Sequence, residues 1–132
     1  MSVRLKRAYE PPSPSDGYRV LIDRLWPRGV ARANARLDEW AQELAPSTEL
    51  RRWFGHDPAR FAEFRRRYLE ELSAQEDKLS ELRGRARETT LTLVYGARDT
   101  EHNDAVVLAE LLGGKTRPTR DAKKDRRARR EP

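Results

Sequence analysis

The sequence predicts a three-layer α/β domain, a small, mostly parallel sheet of about three strands covered by helices. Three observations predict it. Two short β-type runs stand near the start of the chain, and a third follows a long helical stretch. The second and third runs both lead into turns marked by glycine or proline and crowded with polar side chains. Open α/β sheets place their ligand sites at such strand ends.

Taken in order, Val3 to Tyr9 alternates Val3 and Leu5 with Arg4 and Lys6 and reads as a first strand, closed by Pro11, Pro12 and Pro14. Ser13 to Gly17 is a turn or a very short helical crossover. Tyr18 to Asp23 is the second strand and, with Val20, Leu21 and Ile22 apolar on both faces, a central one. Residues 30–36 are an exposed loop or short helix. Leu37, Trp40, Ala41 and Leu44 recur at helical spacing, and Pro46 ends that helix. Ser47 caps the next helix, whose buried stripe is Leu50, Trp53 and Phe54. Asp57-Pro58 is a cap and first-turn pair for a longer helix burying Phe61, Phe64, Tyr68 and Leu72. On its wetter side Glu63 with Arg67, and Arg67 with Glu71, stand four residues apart. A bend is expected near Ser73, and Leu79 and Leu82 carry the stripe on to Gly84. Thr89 to Tyr95 is the last strand, and a final helix packs Ala105, Val106, Leu108, Ala109 and Leu112 before Gly113.

Residues 1–114 form the single domain. The net charge of +6 resides wholly in residues 115–132, which hold nine Lys or Arg against three Asp or Glu, whereas residues 1–114 hold 19 of each. The domain itself therefore has no bulk electrostatic attraction for a polyanion. The basic segment has no apolar side chain larger than alanine or proline and is expected to be a disordered tail. Within it Lys123, Lys124, Arg126, Arg127, Arg129 and Arg130 are candidates for a weak, salt-sensitive contact to nucleic acid. The absence of cysteine excludes disulfides, thiolate catalysis and thiolate-ligated metals. The opening Met-Ser-Val-Arg-Leu-Lys-Arg carries no signal-like apolar run and no span is long enough for a membrane, so the cytoplasm is the expected compartment.

Two strand exits concentrate chemistry. The first offers Asp23, Arg24, Trp26 and Arg28. Arginine suits a fixed, two-pronged grip on carboxylate or phosphate, and Asp23 can orient it or accept a proton. The structural alternative is that Asp23 and Arg24 pair with each other while Trp26 plugs the core. The second exit offers Tyr95, Arg98, Asp99, His102, Asn103 and Asp104 at a glycine turn before a helix N-terminus. Its structural alternative is that Asp99 or Thr100 caps the helix and Asn103 ties down the loop. Asp23 and Asp99 are the candidate catalytic carboxylates. Arg24, Trp26, Arg28, Tyr95, Arg98, His102 and Asn103 are the candidate ligand-binding residues. No spacing fits a standard metal set, and without a Walker or GxGxxG pattern the sequence names no cofactor. His56 reads as a solvent-facing turn residue, the alternative being that its loop folds over the site, and the aromatics Trp40, Trp53, Phe54, Phe61, Phe64 and Tyr68 read as core.

Tyr9 together with the run Ser15-Asp16-Gly17-Tyr18-Arg19-Val20-Leu21-Ile22-Asp23-Arg24-Leu25-Trp26-Pro27-Arg28-Gly29 resembles the signature of the YeaO-like proteins, within domain of unknown function 488. The resemblance continues through Leu37 to Trp40, Ala45 to Arg51, Phe64 to Tyr68 and Leu91 to Tyr95, and on to Ala97, Arg98, Asp99, Asn103, Ala105 and Val106. It spans about residues 3–112. It implies a small cytosolic protein of bacteria or archaea and brings no established activity. Wider relatives carry a Cys-His-Arg-like cluster at the start of the final helix. The neighbourhood here is His102-Asn103-Asp104, without the cysteine a thiol mechanism needs. Ala97, Arg98, Asp99 and Asn103 carry over as site residues of unassigned role.

The leading functional expectation is a pocket at the strand ends that binds a small anionic metabolite or nucleotide, with or without catalysis. In it Arg28 and Arg98 converge on one cavity, with Tyr95 or Asn103 on the wall. The alternatives are a nucleic-acid-associated protein acting through the tail and a non-catalytic structural or interaction module.

Overall fold

The computed structural model describes residues 2–113. The residues of the basic segment named above, and the disorder expected of it, lie outside that range. Four strands, β1 (Ser2–Arg7), β2 (Tyr18–Leu21), β3 (Glu39–Trp40) and β4 (Thr90–Tyr95), form one sheet in the order β1-β4-β2-β3. Every neighbouring pair is parallel. The α/β class and the parallel sheet agree with the sequence, and the sheet has four strands rather than three.

The fourth strand replaces part of an expected helix. Leu37 to Leu44 has helical spacing, yet Glu39 and Trp40 pair with Val20 and Leu21, and only Gln42–Leu44 makes a single 3-10 turn. The reason is the open edge of β2. Asp38 N–H donates to Arg19 O at 2.9 Å, the Asp38 carboxylate accepts from Arg19 N–H at 2.8 Å, and Ala41 N–H donates to Leu21 O at 2.8 Å. Satisfying a buried strand's backbone outweighs the weak helix preference of a short segment. Arg36, left-handed at φ 50°, ends the preceding one-turn helix α1 (Arg32–Ala35) and turns the chain onto that edge.

The other helices are α2 (Thr48–Phe54), α3 (Phe61–Leu72), α4 (Glu76–Glu88) and α5 (Asp104–Leu111). Ser47 caps α2 through its hydroxyl, which accepts from Leu50 N–H at 3.1 Å. A 3-10 turn at Ser73–Gln75 makes the expected bend between α3 and α4. Helix α4 runs through Gly84 to Glu88 instead of stopping there. Burial of Leu82 and Ala86 on either side offsets the ~1 kcal/mol that a mid-helix glycine costs. Arg67 pairs with Glu63 but not with Glu71, whose carboxylate instead accepts from Ser47 N–H at 2.8 Å and Ser47 O–H at 2.6 Å. That contact fixes the start of α2 against α3.

In-register parallel partners share a face of the sheet. Val3, Leu5, Val20, Leu91 and Leu93 face the larger helices, over a core completed by Phe64, Tyr68, Leu79, Leu82 and Leu108. Arg4, Lys6, Arg19 and Thr92 face the opposite way, under a thin third layer made by residues 13–16 and the α1 segment. There the buried Asp16 carboxylate accepts from Arg19 at 2.7 Å and Lys6 at 3.1 Å. The Arg19 guanidinium also donates to the carbonyls of Ala35 and Arg36. Thr92 O–H donates to Asp16 O at 2.7 Å. Gly17 turns this layer into β2 at φ 66°, so close to β4 that a Cβ there would stand 2.2 Å from Thr90 O.

Candidate functional site at the ends of β2 and β4

After Leu21 one more ladder bond, Ile22 N–H to Val94 O at 3.1 Å, keeps the chain beside β4, and then it leaves the sheet. Asp23 is the next residue. Its carboxylate accepts from Gly96 N–H at 2.8 Å, joining the exits of two neighbouring strands. The approach is close enough that a Cβ at Gly96 would lie 3.1 Å from Asp23 Oδ2. The backbone here is pinned from the β3 side, since Trp40 Nε1–H donates to Asp23 O at 2.7 Å and Gln42 donates to Arg24 O at 3.0 Å. Arg24 does not pair with Asp23. It reaches the other way, donating from Nη2 to Pro46 O at 3.3 Å, while its buried Nε has no hydrogen-bond partner.

A cavity of about 230 Å³ opens at this junction. Its lining combines the carboxyl groups of Asp23 and Asp104, the side chains of Arg24, Arg51 and His56, and the rings of Phe54 and Phe64. The two phenyl rings stack with centroids 4.3 Å apart. Asn103 caps α5, its side-chain oxygen accepting from Val106 N–H at 3.0 Å and its amide donating to Asp99 O at 2.7 Å. The cap therefore falls on Asn103, not on Asp99 or Thr100.

Asp99 stands outside the cavity. Its carboxylate accepts from Glu101 N–H at 2.9 Å, from His102 N–H at 3.0 Å and against His102 Nδ1 at 2.9 Å. Partial burial alone would raise its pKa, but these donors together hold it below the ordinary value. His102 packs edge-on against Phe61, centroids 5.3 Å apart. These are ties of a turn. The carboxylate that faces Asp23 is Asp104. Burial pushes the Asp23 pKa up to about 6, against the Gly96 N–H and the positive charges of Arg51 and His56, which pull it down. Burial and the neighbouring Asp23 push Asp104 well up. Each carboxylate therefore disfavours ionisation of the other, and the two titrate as a linked pair.

The remaining sequence candidates lie elsewhere. Arg28 and Arg98 are exposed and neither lines this cavity, so the two do not meet in it. A flexible exposed side chain after a turn has nothing to aim it, whereas Arg24 is held by the Pro46 carbonyl. Tyr95 is buried in the core. Trp26 closes the back of its turn, donating to Val30 O at 2.7 Å and meeting Trp40 edge-on at 5.4 Å, with Arg32 stacked 4.3 Å over it. Arg51 is a lining residue that sequence reasoning missed, and His56, which reads there first as a solvent-facing turn residue, lines the cavity too. Their signal is faint: an arginine one position from the buried Leu50 on a capped helix, and a histidine in the Gly55-His56 break, which has φ 57°. Among the described residues no group of three or more His, Asp or Glu is placed to hold a metal ion.

A family model described as "Inactive DUF488-N3 subclade" matches residues 2–129. The chain belongs to the DUF488 family. The match runs into the basic segment, further than the resemblance read from the sequence, which ends near residue 112. Within the family the chain is 46% identical over 112 residues to the uncharacterised protein YeaO of Escherichia coli, covering 85% of this chain and 97% of that one. It is 44% identical over 113 residues to the uncharacterised proteins Mb3100c of Mycobacterium bovis and Rv3073c of Mycobacterium tuberculosis, covering 86% of this chain and 95% of each. No solved structure matches the chain significantly. Like these relatives, this DUF488 member is YeaO-like along most of its length, and no helix among its described residues is long and apolar enough to cross a membrane.

Proposed function

We propose that this DUF488 protein binds a small anionic metabolite in the cavity between the ends of β2 and β4, without turning it over. The observation that carries the reading is Arg24. It lines the cavity together with Arg51, and its guanidinium is held by a single 3.3 Å bond to Pro46 O. A charge-assisted bond to a carboxylate or phosphoryl oxygen is roughly twice as strong as a neutral one. Among the described residues neither arginine forms an ion pair, so their charge is available. A cavity of about 230 Å³ is below the roughly 300–1,000 Å³ of drug-sized sites, which favours a compact metabolite over a nucleotide. Binding rather than turnover is in keeping with the family description "inactive" and with a chain that has no cysteine.

The test is a thermal-shift screen of inorganic phosphate, short carboxylic acids, amino acids and nucleotides, followed by titration of any hit on wild type, R24A and R51A. A charge-assisted contact is worth ~1.5–3 kcal/mol, so each variant should bind at least about tenfold more weakly. The melting temperature of unliganded R51A should be nearly unchanged because that side chain is exposed. If no compound stabilises the wild type, or if both variants respond as it does, the binding reading is wrong.

A further inference from the structure

The cavity is lined by charged groups of both signs, and this constrains the ligand further than its arginines alone do. Asp23 is drawn toward β4 by the Gly96 N–H, and Asp104 stands beside it at the first turn of α5. Arg24 is drawn away toward Pro46, and Arg51 of α2 lines the same cavity. Acidic and basic groups thus line one compact space together with two phenylalanines. Resting on the anion-binding reading above, we propose that the ligand is a small zwitterion with an apolar substituent, such as a free amino acid. Its carboxylate would lie between Arg24 and Arg51, its ammonium between Asp23 and Asp104, and its side chain against Phe54 and Phe64.

A plain anion leaves the two acidic groups without a partner, and each then disfavours ionisation of the other. An ammonium placed between them relieves that. Each carboxylate would gain an opposite charge at contact distance, and both would ionise. The groups around this pair are Gly96 N–H and Arg24 from the strand exits, Arg51 and His56 from α2 and the turn after it, and Tyr68 from α3, with Glu71 beside Tyr68. Tyr68 O–H is committed to the Leu44 carbonyl and Glu71 to Ser47, so neither is free to take the ammonium. Binding of a zwitterion should accordingly release a proton from the acid pair, whereas binding of a simple carboxylate should release none.

The experiment uses the full chain and matched sets of probes. Leucine is compared with 4-methylpentanoate and isopentylamine, and phenylalanine with 3-phenylpropanoate and phenethylamine. Calorimetric titration at pH 7 in two buffers of different ionisation enthalpy measures both affinity and the protons exchanged. The expected result is that at least one amino acid binds at least about tenfold more tightly than either of its truncated counterparts, with net proton release. In D104N, which keeps the size of the side chain, that release and the preference over the deaminated acid should both disappear while the acid still binds. Equal binding of acid and amino acid with no proton release would overturn the zwitterion and leave the anion site standing. Binding of the amine alone as tightly as the amino acid, or of no probe at all, would overturn both.

Discussion

Replacing Asp23 by asparagine should make this protein more stable at pH 8 and leave it almost unchanged at pH 4. In the folded state the Asp23 carboxyl titrates near 6, against 3.8 for an unperturbed one. Below 3.8 the group is neutral in folded and unfolded chains alike and has no effect on stability. Between about pH 4 and 6 the unfolded chain gives up the proton more readily than the folded one, so stability falls as pH rises, and above 6 the full penalty is in force. At ~1.4 kcal/mol per pH unit, a rise from 3.8 to about 6 is worth ~3 kcal/mol. Asparagine keeps an oxygen to accept from Gly96 N–H but has no charge to desolvate. Allowing for residual water at the cavity mouth, D23N should gain roughly 1–3 kcal/mol at pH 8. Urea unfolding of wild type and D23N at half-unit intervals from pH 4 to 8 measures the difference directly. A variant less stable than wild type at pH 8, or a gap that does not narrow toward pH 4, would refute the reasoning.

Gly17→Ala should destabilise by ~3–5 kcal/mol in a thermal or chemical melt. The new Cβ would meet Thr90 O at 2.2 Å in a backbone region that L side chains avoid, and the obstacle is a central strand that cannot yield. Asp16→Asn should cost ~3–5 kcal/mol at pH 7 because it leaves the buried Arg19 without its counter-charge. Burial raises the Asp16 pKa, but the Ser13 N–H, Lys6 and Arg19 outweigh it and hold it below 3.8. The stabilisation is therefore complete above that pH and is lost as pH falls through the lower folded value, so acid-unfolding curves of D16N should lack this drop.

Much of the framework was legible from residue pattern alone. The runs at Val3, Tyr18 and Thr89 alternate or are continuously apolar, Ser47 and Asp57-Pro58 announce helix starts, and each feature is local. The short strand at Glu39 was not legible because nothing within Leu37 to Leu44 calls for it. It exists because β2 presents an open edge, a tertiary demand that overrides helical spacing. The family-like run from Ser15 to Arg19 acquires a structural reason only in three dimensions, where Asp16 and Arg19 close the polar face of the sheet. The site was legible in half. Both strand exits were visible, since polar residues after an apolar run and a glycine are a local signal. Which carboxylate meets Asp23 depends on the pitch of α5, which places Asp104 at the cavity and leaves Asp99 in the preceding turn. Another part of the lining comes from α2, whose Arg51 has the sequence surroundings of any solvent-facing helical arginine.

The strand order has a consequence for the growing chain. The strand between β1 and β2 is the last one to be made, and β1 has no other partner in the sheet. As synthesis proceeds at roughly 5–20 residues per second, the first strand waits without a partner through the whole helical stretch. Arg4 and Lys6 give that waiting strand a charged face, which discourages pairing with a neighbouring nascent chain. When residues 90–96 arrive, one insertion completes the sheet and brings Gly96 to Asp23. A shorter nascent chain has neither the sheet nor the cavity, so the cavity comes into being in the same step as the fold itself.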